Sequence, residues 1–368
     1  MSKSLLLVTD FYKPHTSGII TYIDLFINIL KLKKIQTTIL TTMHSDKDKE
    51  IEYLEGVKII RCRPLFKISR GFYSIELVFK FIKISKNFDL VNLHLPITEI
   101  LPLVFFLKKN KSFLTYHCLP EFRYFAVIIK FYFYFFGIIC MFKSKKITVL
   151  SKDYFKNIIF HNFFINKIFE IPPYVKIQSS NMPISKENEI IRIGYLGRLS
   201  NEKGLEYLIG VSNKMKLKNI QHELIIAGND KDKRFIKYIT FLKKISFYNK
   251  NIKFIGFISD QDKKFFYNKI NLFILPSTNS FEAFGIVQLE AMSYGVPVFA
   301  SNINGVRTIV EKTGGGLLFK NKDSNALYDI IKNFSKYKFQ SETIKGNLEK
   351  EYNENKFKKE IFNLLKSF

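Results

Sequence analysis

Apolar positions along the chain fall into two alternating patterns. A short continuous run at residues 5–8 reads as a buried strand. A loop with Pro14 and Gly18 follows, and then Ile19, Ile20, Ile23, Phe26, Ile27 and Leu30 recur at helical spacing. The same alternation continues, predicting strands at 37–41, 57–62, 90–94, 112–117 and 146–150. A second set is predicted at 192–197, 223–227, 253–256, 272–276 and 298–301. Strands alternating with helices predict an α/β fold with parallel sheets covered on both faces. Residues 171–185 hold three prolines and no periodicity, and read as a linker between two doubly wound Rossmann-like domains. Two such domains imply a ligand cleft at the carboxyl ends of both sheets.

Residues 125–142, FAVIIKFYFYFFGIICMF, form the most apolar stretch, interrupted only by Lys130. Its length suits a membrane span, but the strands expected on either side belong to one sheet, so the segment must return to the side it left. Two readings remain, a buried core helix or an interfacial helix with Arg123, Lys130, Lys143, Lys145 and Lys146 beside anionic headgroups. The surplus of aromatic residues on a basic background favours the interface.

Composition narrows the picture. With 47% hydrophobic and 24% charged residues the composition fits an ordinary folded chain and argues against wholesale disorder. Cys62, Cys118 and Cys140 lack metal-ligand spacing, which argues against a zinc module or disulfide scaffold and suits a reducing compartment. The apolar run in residues 1–10 is too short for a secretory signal. The net charge of +26 comes from 58 basic residues, only eight of them Arg, spread over both halves. A nucleic-acid module concentrates charge on one face with Arg prominent, so no nucleic acid is expected as partner. An anionic membrane surface or anionic substrate stays open.

The strongest chemical constellation is LPSTNSFEAFGIVQLEAMSYGVPVFA, residues 275–300. Phe284, Gly285 and Ile286 turn the chain into a helix over 287–294, stopped by Gly295 with Pro297 beyond. Free N–H groups at that helix start suit a diphosphate, and Gly285 permits close approach. Glu282 can accept from hydroxyls, and Glu290 can grip a vicinal diol such as a ribose. Read alone, the two are also compatible with surface carboxylates around a helix start. A second element, IGYLGRLSNEKGLEYLI, sets Arg198 and Lys203 just past a strand's carboxyl end. Together they can hold two phosphates and stabilise a departing diphosphate. Read as exposed loop charges, they contribute little to folding.

GRLSNEKG together with SFEAFGIVQLEAMSYGVPVFAS resembles the family-4 retaining glycosyltransferases of the GT-B fold, and the resemblance runs from the first strand–loop–helix to about residue 325. It implies transfer of a sugar from a nucleotide-diphosphate donor with retention, with no metal or other cofactor. It assigns Arg198 and Lys203 to the diphosphate, Glu290 to the ribose, and Glu282 with the backbone of Phe284 to Ile286 to the donor sugar. His117 resembles the family histidine beside that sugar, and Gly18 the glycine of the first loop that approaches the diphosphate. Departures lie elsewhere: Thr16-Ser17-Gly18 where paired glycines are usual, Cys118 after His117, Pro172-Pro173 for an Asn-Gly pair, and Thr308 for a frequent Glu. The implied organisation is an acceptor-binding domain at 1–172, joined by a terminal helix at 355–368, and a nucleotide-sugar-binding domain at 173–354. The expected acceptor is a lipid-linked or other oligosaccharide in bacterial surface polysaccharide (O-antigen or capsule) assembly. The expected location is cytoplasmic, on the inner face of the membrane.

Other features carry less. His94 ends a strand and reads better as an orienting or structural group. The six His show no paired spacing for a metal, and Asp230 with Asp232 reads better as a solvated loop than as ligands. Ser151 reads as a helix cap. The alternatives are a GT-B phosphorylase, for which no cofactor-binding Lys is identifiable, an epimerase, or a non-catalytic nucleotide-sugar-binding membrane-associated protein.

Overall fold

A computed structural model describes residues 3–15, 17–68, 71–119, 126–179 and 190–368. Thr16, Arg123, Phe125 and residues 180–185 of the expected linker lie outside the described residues. The chain divides into two units, Met1–Pro173 with Phe357–Phe368, and Tyr174–Lys356.

The first unit contains strands β1 (Ser4–Val8), β2 (Gln36–Thr42), β3 (Ile51–Leu54), β4 (Val57–Cys62), β5 (Phe66–Ile68), β6 (Gly71–Tyr73), β7 (Leu90–Leu95), β8 (Ser112–Tyr116), β9 (Lys146–Val149) and β10 (Ile168–Glu170). Eight of them form one sheet in the order β10-β9-β8-β7-β1-β2-β4-β3. Every neighbouring pair is parallel except β3 with β4, a hairpin turned at Glu55 and Gly56, both at positive φ. β5 and β6 make a separate two-stranded ribbon. From β1 the chain steps outward through β2 in one direction and through β7, β8 and β9 in the other. The switch point therefore lies where the loops after β1 and β7 meet.

The helix Ala126–Lys143 connects β8 to β9, which pair in parallel from Phe113 against Lys146 to Tyr116 against Val149. A parallel crossover returns to its starting end, so this helix lies on the sheet and does not span. Among the described residues no helix is long and apolar enough to cross a membrane. Nor is it wholly core: Phe133, Cys140 and Met141 are buried, while Val127, Ile128, Phe131, Phe135 and Phe142 are exposed along the opposite side.

The last helix, Glu354–Lys366, leaves the second unit and packs on the first. Phe357 meets Tyr22 edge-on at 5.9 Å and Phe368 lies 5.7 Å from Phe113, both ring to ring.

The second unit is a six-stranded parallel sheet, β13-β12-β11-β14-β15-β16. Its strands are β11 (Ile191–Leu196), β12 (His222–Ala227), β13 (Ile252–Gly256), β14 (Leu272–Leu275), β15 (Val298–Ser301) and β16 (Gly316–Phe319). Ile193, Tyr195, Leu208, Ile226, Ile274 and Phe299 belong to its buried core. The central strands are continuous apolar runs because helices cover both faces. Here the chain reverses between β11 and β14, so the loops after those two strands become neighbours.

Candidate functional site

The second switch point gathers the cations and carboxylates singled out in the sequence. After β11, Asn201–Lys203 form a single 3-10 turn ended by Gly204 at φ 62°. A Cβ on Gly204 would sit 2.3 Å from the carbonyl oxygen of Pro276, so only glycine lets the two loops touch. Thr278 ties them further, donating from its backbone N–H at 2.8 Å and its hydroxyl at 3.2 Å to the carbonyl of Glu202. This clamp brings the Lys203 ammonium onto the Glu282 carboxylate, with each side chain only 13% exposed.

Arg198 is 45% exposed, reaches Glu202 at 3.6 Å and lies over the Phe281 ring at 5.4 Å. The sequence reading treated Arg198 and Lys203 alike as loop charges of little weight in folding. For Lys203 the structure corrects that: removing its ammonium strands a mostly buried carboxylate.

The helix Ile286–Ser293 begins at Gly285, which is left-handed at φ 80°, and ends at Tyr294 before Gly295. Phe284 is buried and edge-on to Tyr352, so its backbone alone is available to a ligand. Gln288, which the sequence reading passed over, is fully buried and donates to the carbonyls of Phe284 (3.0 Å) and Val306 (3.1 Å), fixing the approach to Gly285. Glu290 accepts from Lys263 at 2.9 Å and from the Tyr267 hydroxyl at 3.0 Å. Burial and this carboxylate push the Tyr267 phenol well up, so it stays a donor. Each Glu290 oxygen keeps a lone pair for a further hydroxyl. Asp230 is engaged by Lys243 at 2.7 Å, and Asp232 by Arg234 at 2.7 Å. Among the described residues no group of three or more His, Cys, Asp or Glu could hold a metal ion.

The first unit holds Gly18 and His117. Gly18 is the exposed first residue of the helix Gly18–Leu32, whose start is capped by Ser17 accepting from the N–H of Ile20. His117 follows β8 and is buried, its Nε2 2.8 Å from Nδ1 of His94. The switch point itself, invisible to the sequence reading, buries Asp10 beside Glu99. Thr98 Oγ1 is 2.6 Å from the Phe72 carbonyl, 2.8 Å from Glu99 and 3.3 Å from Asp10. A hydroxyl has one proton and the carbonyl can only accept, so a carboxyl proton completes the cluster. Burial raises the Glu99 carboxyl to about 7, and burial together with Glu99 raises Asp10 well above its usual range. Ser151 caps the short helix Lys152–Phe155 as expected.

With this geometry in view, residues 179–362 match the family described as Glycosyl transferases group 1. The chain belongs to that family. The match covers the whole second switch point, from Arg198 and Lys203 to Glu290. Among curated relatives of this group 1 chain, the Staphylococcus aureus protein named capsular polysaccharide biosynthesis glycosyltransferase CapM is 30% identical over 221 residues, 60% of this chain and 53% of that one. A glycogen synthase of Clostridium beijerinckii is 28% identical over 176 residues, 46% of this chain and 35% of its own. The matched stretches thus span about half or less of these relatives.

Among solved structures, sucrose-phosphate synthase from Thermosynechococcus elongatus aligns with a TM-score of 0.77 at 16% identity, covering 99% of this chain and 98% of that one. Anabaena HepE in complex with UDP and glucose aligns with a TM-score of 0.73 at 17% identity, covering 99% of each. These likenesses show the fold, that of the GT-B glycosyltransferases.

Proposed function

We propose that this chain is a retaining glycosyltransferase that moves a sugar from a nucleoside-diphosphate donor to a hydroxyl of a lipid-linked or oligosaccharide acceptor in bacterial surface polysaccharide assembly. The observation that carries the reading is the clamp that sets Lys203, Glu282 and the N-terminus of the helix Ile286–Ser293 at one switch point, with Arg198 beside them. Cations and free N–H groups gathered this way suit an anionic leaving group. CapM, by its name a capsular polysaccharide glycosyltransferase, supports the pathway class, and the UDP complexes of HepE support a nucleotide donor.

In this mechanism the diphosphate shares Lys203 and Arg198, and Glu282, relieved of its full ion pair, accepts from sugar hydroxyls. Glu290 accepts from the ribose diol. The sugar–oxygen bond to the diphosphate breaks as the acceptor hydroxyl attacks from the same face, and a donor phosphate oxygen takes the hydroxyl proton. Arg198 and Lys203 supply the charge that a divalent metal would otherwise supply, so turnover should persist in excess EDTA.

The exposed side of the helix Ala126–Lys143 supports placement at an anionic membrane surface. Its apolar residues are joined by Phe105, Ile159, Phe163 and Ile165, all exposed, and by Lys130. Lys145 and Lys146 lie over the rings of Phe368 and Phe169, and Lys143 over Phe105. Of these, Lys143 seats a cation beside that side through Phe105, whereas Lys145 and Lys146 sit with Phe113 on the other face of the sheet.

The test is to incubate the protein with a panel of nucleotide-sugars and candidate acceptors, measuring free nucleoside diphosphate and the anomeric configuration of the product. Release with the donor's configuration kept is the expected result. No release from any donor, an inverted product, or a loss in EDTA that magnesium restores would each overturn its part of the reading.

A further inference from the structure

A line of buried polar side chains crosses three neighbouring strands of the first sheet, within a layer otherwise built from Tyr22, Phe26 and Phe113. Asn92 and His94 come from β7, Thr115 and His117 from β8 and its exit, and Thr148 from β9, all of them buried. Thr148 donates to Thr115 at 2.8 Å, Asn92 Nδ2 lies 3.0 Å from Thr115 Oγ1, His94 Nε2 lies 2.6 Å from Asn92 Oδ1, and His94 Nδ1 lies 2.8 Å from His117 Nε2. Apolar residues would fill this layer without the desolvation cost, so a fully connected polar line calls for a reason. It ends at His117, at the carboxyl end of β8, where open parallel sheets present their ligand-binding groups.

The line fixes its own proton positions. Asn92 Nδ2 is 3.3 Å from the Phe113 carbonyl, which only accepts, so that end of the amide is the NH2 and Oδ1 faces His94. Oδ1 can only accept, so His94 is protonated on Nε2. Burial holds the His94 ring neutral, its pKa well below the usual value, so its Nδ1 is a lone pair and His117 Nε2–H must donate to it. His117 is also neutral, pushed down to about 3 by burial, and is left with Nδ1 as an acceptor.

We propose that Asn92 and His94 are positioning residues that lock His117, which the family resemblance sets beside the donor sugar, in its Nε2-protonated tautomer, so that Nδ1 accepts from a hydroxyl of that sugar. The substrate half rests on the function proposed above; the tautomer lock does not. An acceptor fixed in this way favours a sugar bearing a hydroxyl at that position over its deoxy analogue, because only the hydroxyl can donate.

The full-length protein labelled with 15N-histidine tests the lock through two-bond proton–nitrogen correlations at neutral pH. Both His94 and His117 should show the Nε2–H pattern, and an Nδ1–H His117 would overturn the proposal. Asn92→Asp keeps the side-chain volume but favours a protonated His94, which then donates from Nδ1 and forces His117 to the opposite tautomer. Its kcat/KM for the nucleotide-sugar should fall about tenfold or more, with affinity for UDP alone unchanged by calorimetry. A flipped tautomer with undiminished kcat/KM would overturn the substrate role. Equal losses in UDP binding and turnover would mark the line as structural support only. Should Asn92→Asp not fold, the wild-type spectrum still decides the lock. A wild-type protein that turns over no nucleotide-sugar while showing both Nε2–H patterns would defeat the proposed function and leave the lock standing.

Discussion

The two switch points share a topology and differ in electrostatics. In each unit the chain reverses beside its first strand, and two loops meet at the carboxyl ends of parallel strands. In the second unit the meeting joins opposite charges, Lys203 with Glu282, within reach of solvent and beside the exposed Arg198. In the first unit it joins like groups, Asp10 and Glu99, fully buried and biased toward protonation. Opposite charges at the edge of solvent can rearrange around an anionic ligand, because a phosphate replaces one partner of a pair with another. Buried carboxyls joined through the Thr98 hydroxyl and biased toward protonation present little net charge for an anionic ligand to exchange with. The same backbone device therefore gathers opposite charges near solvent in one unit, where a diphosphate is proposed, and buried carboxyls in the other.

The contrast is broken most severely at Lys203. Lys203→Ala should lower turnover by about two orders of magnitude or more, the scale for losing a transition-state charge contact. It should also cost about 2–4 kcal/mol of stability, since Glu282 is left mostly buried without its partner. Steady-state kinetics and denaturant unfolding of one preparation measure both. Retained stability with lost activity would show that the ion pair contributes nothing to the fold.

The exposed helix side is the next largest effect. Wild-type protein should bind anionic vesicles, weakening but not vanishing in high salt, because the buried apolar area is insensitive to screening. Phe131→Asp with Phe135→Asp should abolish the salt-resistant part, while Lys130→Glu should remove about 1 kcal/mol of the salt-sensitive part. Sedimentation with vesicles reads both. Indifference of the wild-type protein to anionic vesicles would reduce this face to exposed core and remove the membrane from the proposal.

The smallest effect sharpens the first unit's side of the contrast. A carboxyl raised to about 7 in the folded state binds more protons there than when unfolded, so its contribution to stability falls as pH rises from the unfolded value through about 7. The depressed histidines act oppositely, losing stability as pH falls below their unfolded value near 6.5. Between about pH 6.5 and 7 the raised carboxyls, Glu99 and with it Asp10, are the groups still changing. Glu99→Gln should therefore gain relative to wild type as pH rises from 5 to 8, seen as a narrowing difference in melting temperature. A difference independent of pH would mean that Glu99 is ionised throughout.

The two units were also unequally legible in the sequence. The second site is carried by two short segments, each a strand end, a glycine and charged residues in one loop, so local reading found Arg198, Lys203, Glu282, Gly285 and Glu290. Their partners Lys263, Tyr267 and Gln288 were missed because they come from other elements or read as ordinary helix positions. In the first unit the groups of the proposed line are single polar residues within apolar runs: Asn92 and His94 in LVNLHL, Thr115 in SFLTY, Thr148 in KITV. Only parallel pairing of three strands joins them. The missed strands β3, β5, β6, β10 and β16 are each three or four residues long, too short for periodicity to register. The stretch around 125–142, interrupted only by Lys130, fits both a buried and an interfacial helix by sequence, and its packing on the sheet leaves one side buried and the other open.

The central claim, that the second switch point holds a departing diphosphate, is tested most directly at Arg198, whose guanidinium is 45% exposed although it reaches the buried Glu202 at 3.6 Å. Nucleoside diphosphate release from the best nucleotide-sugar should be measured for wild type and Arg198→Ala, with melting curves alongside. The account predicts a fall in release of about a hundredfold or more from the fraction that remains folded, beyond any small loss of melting temperature from leaving Glu202 without this cation. Equal rates in the two proteins would contradict it.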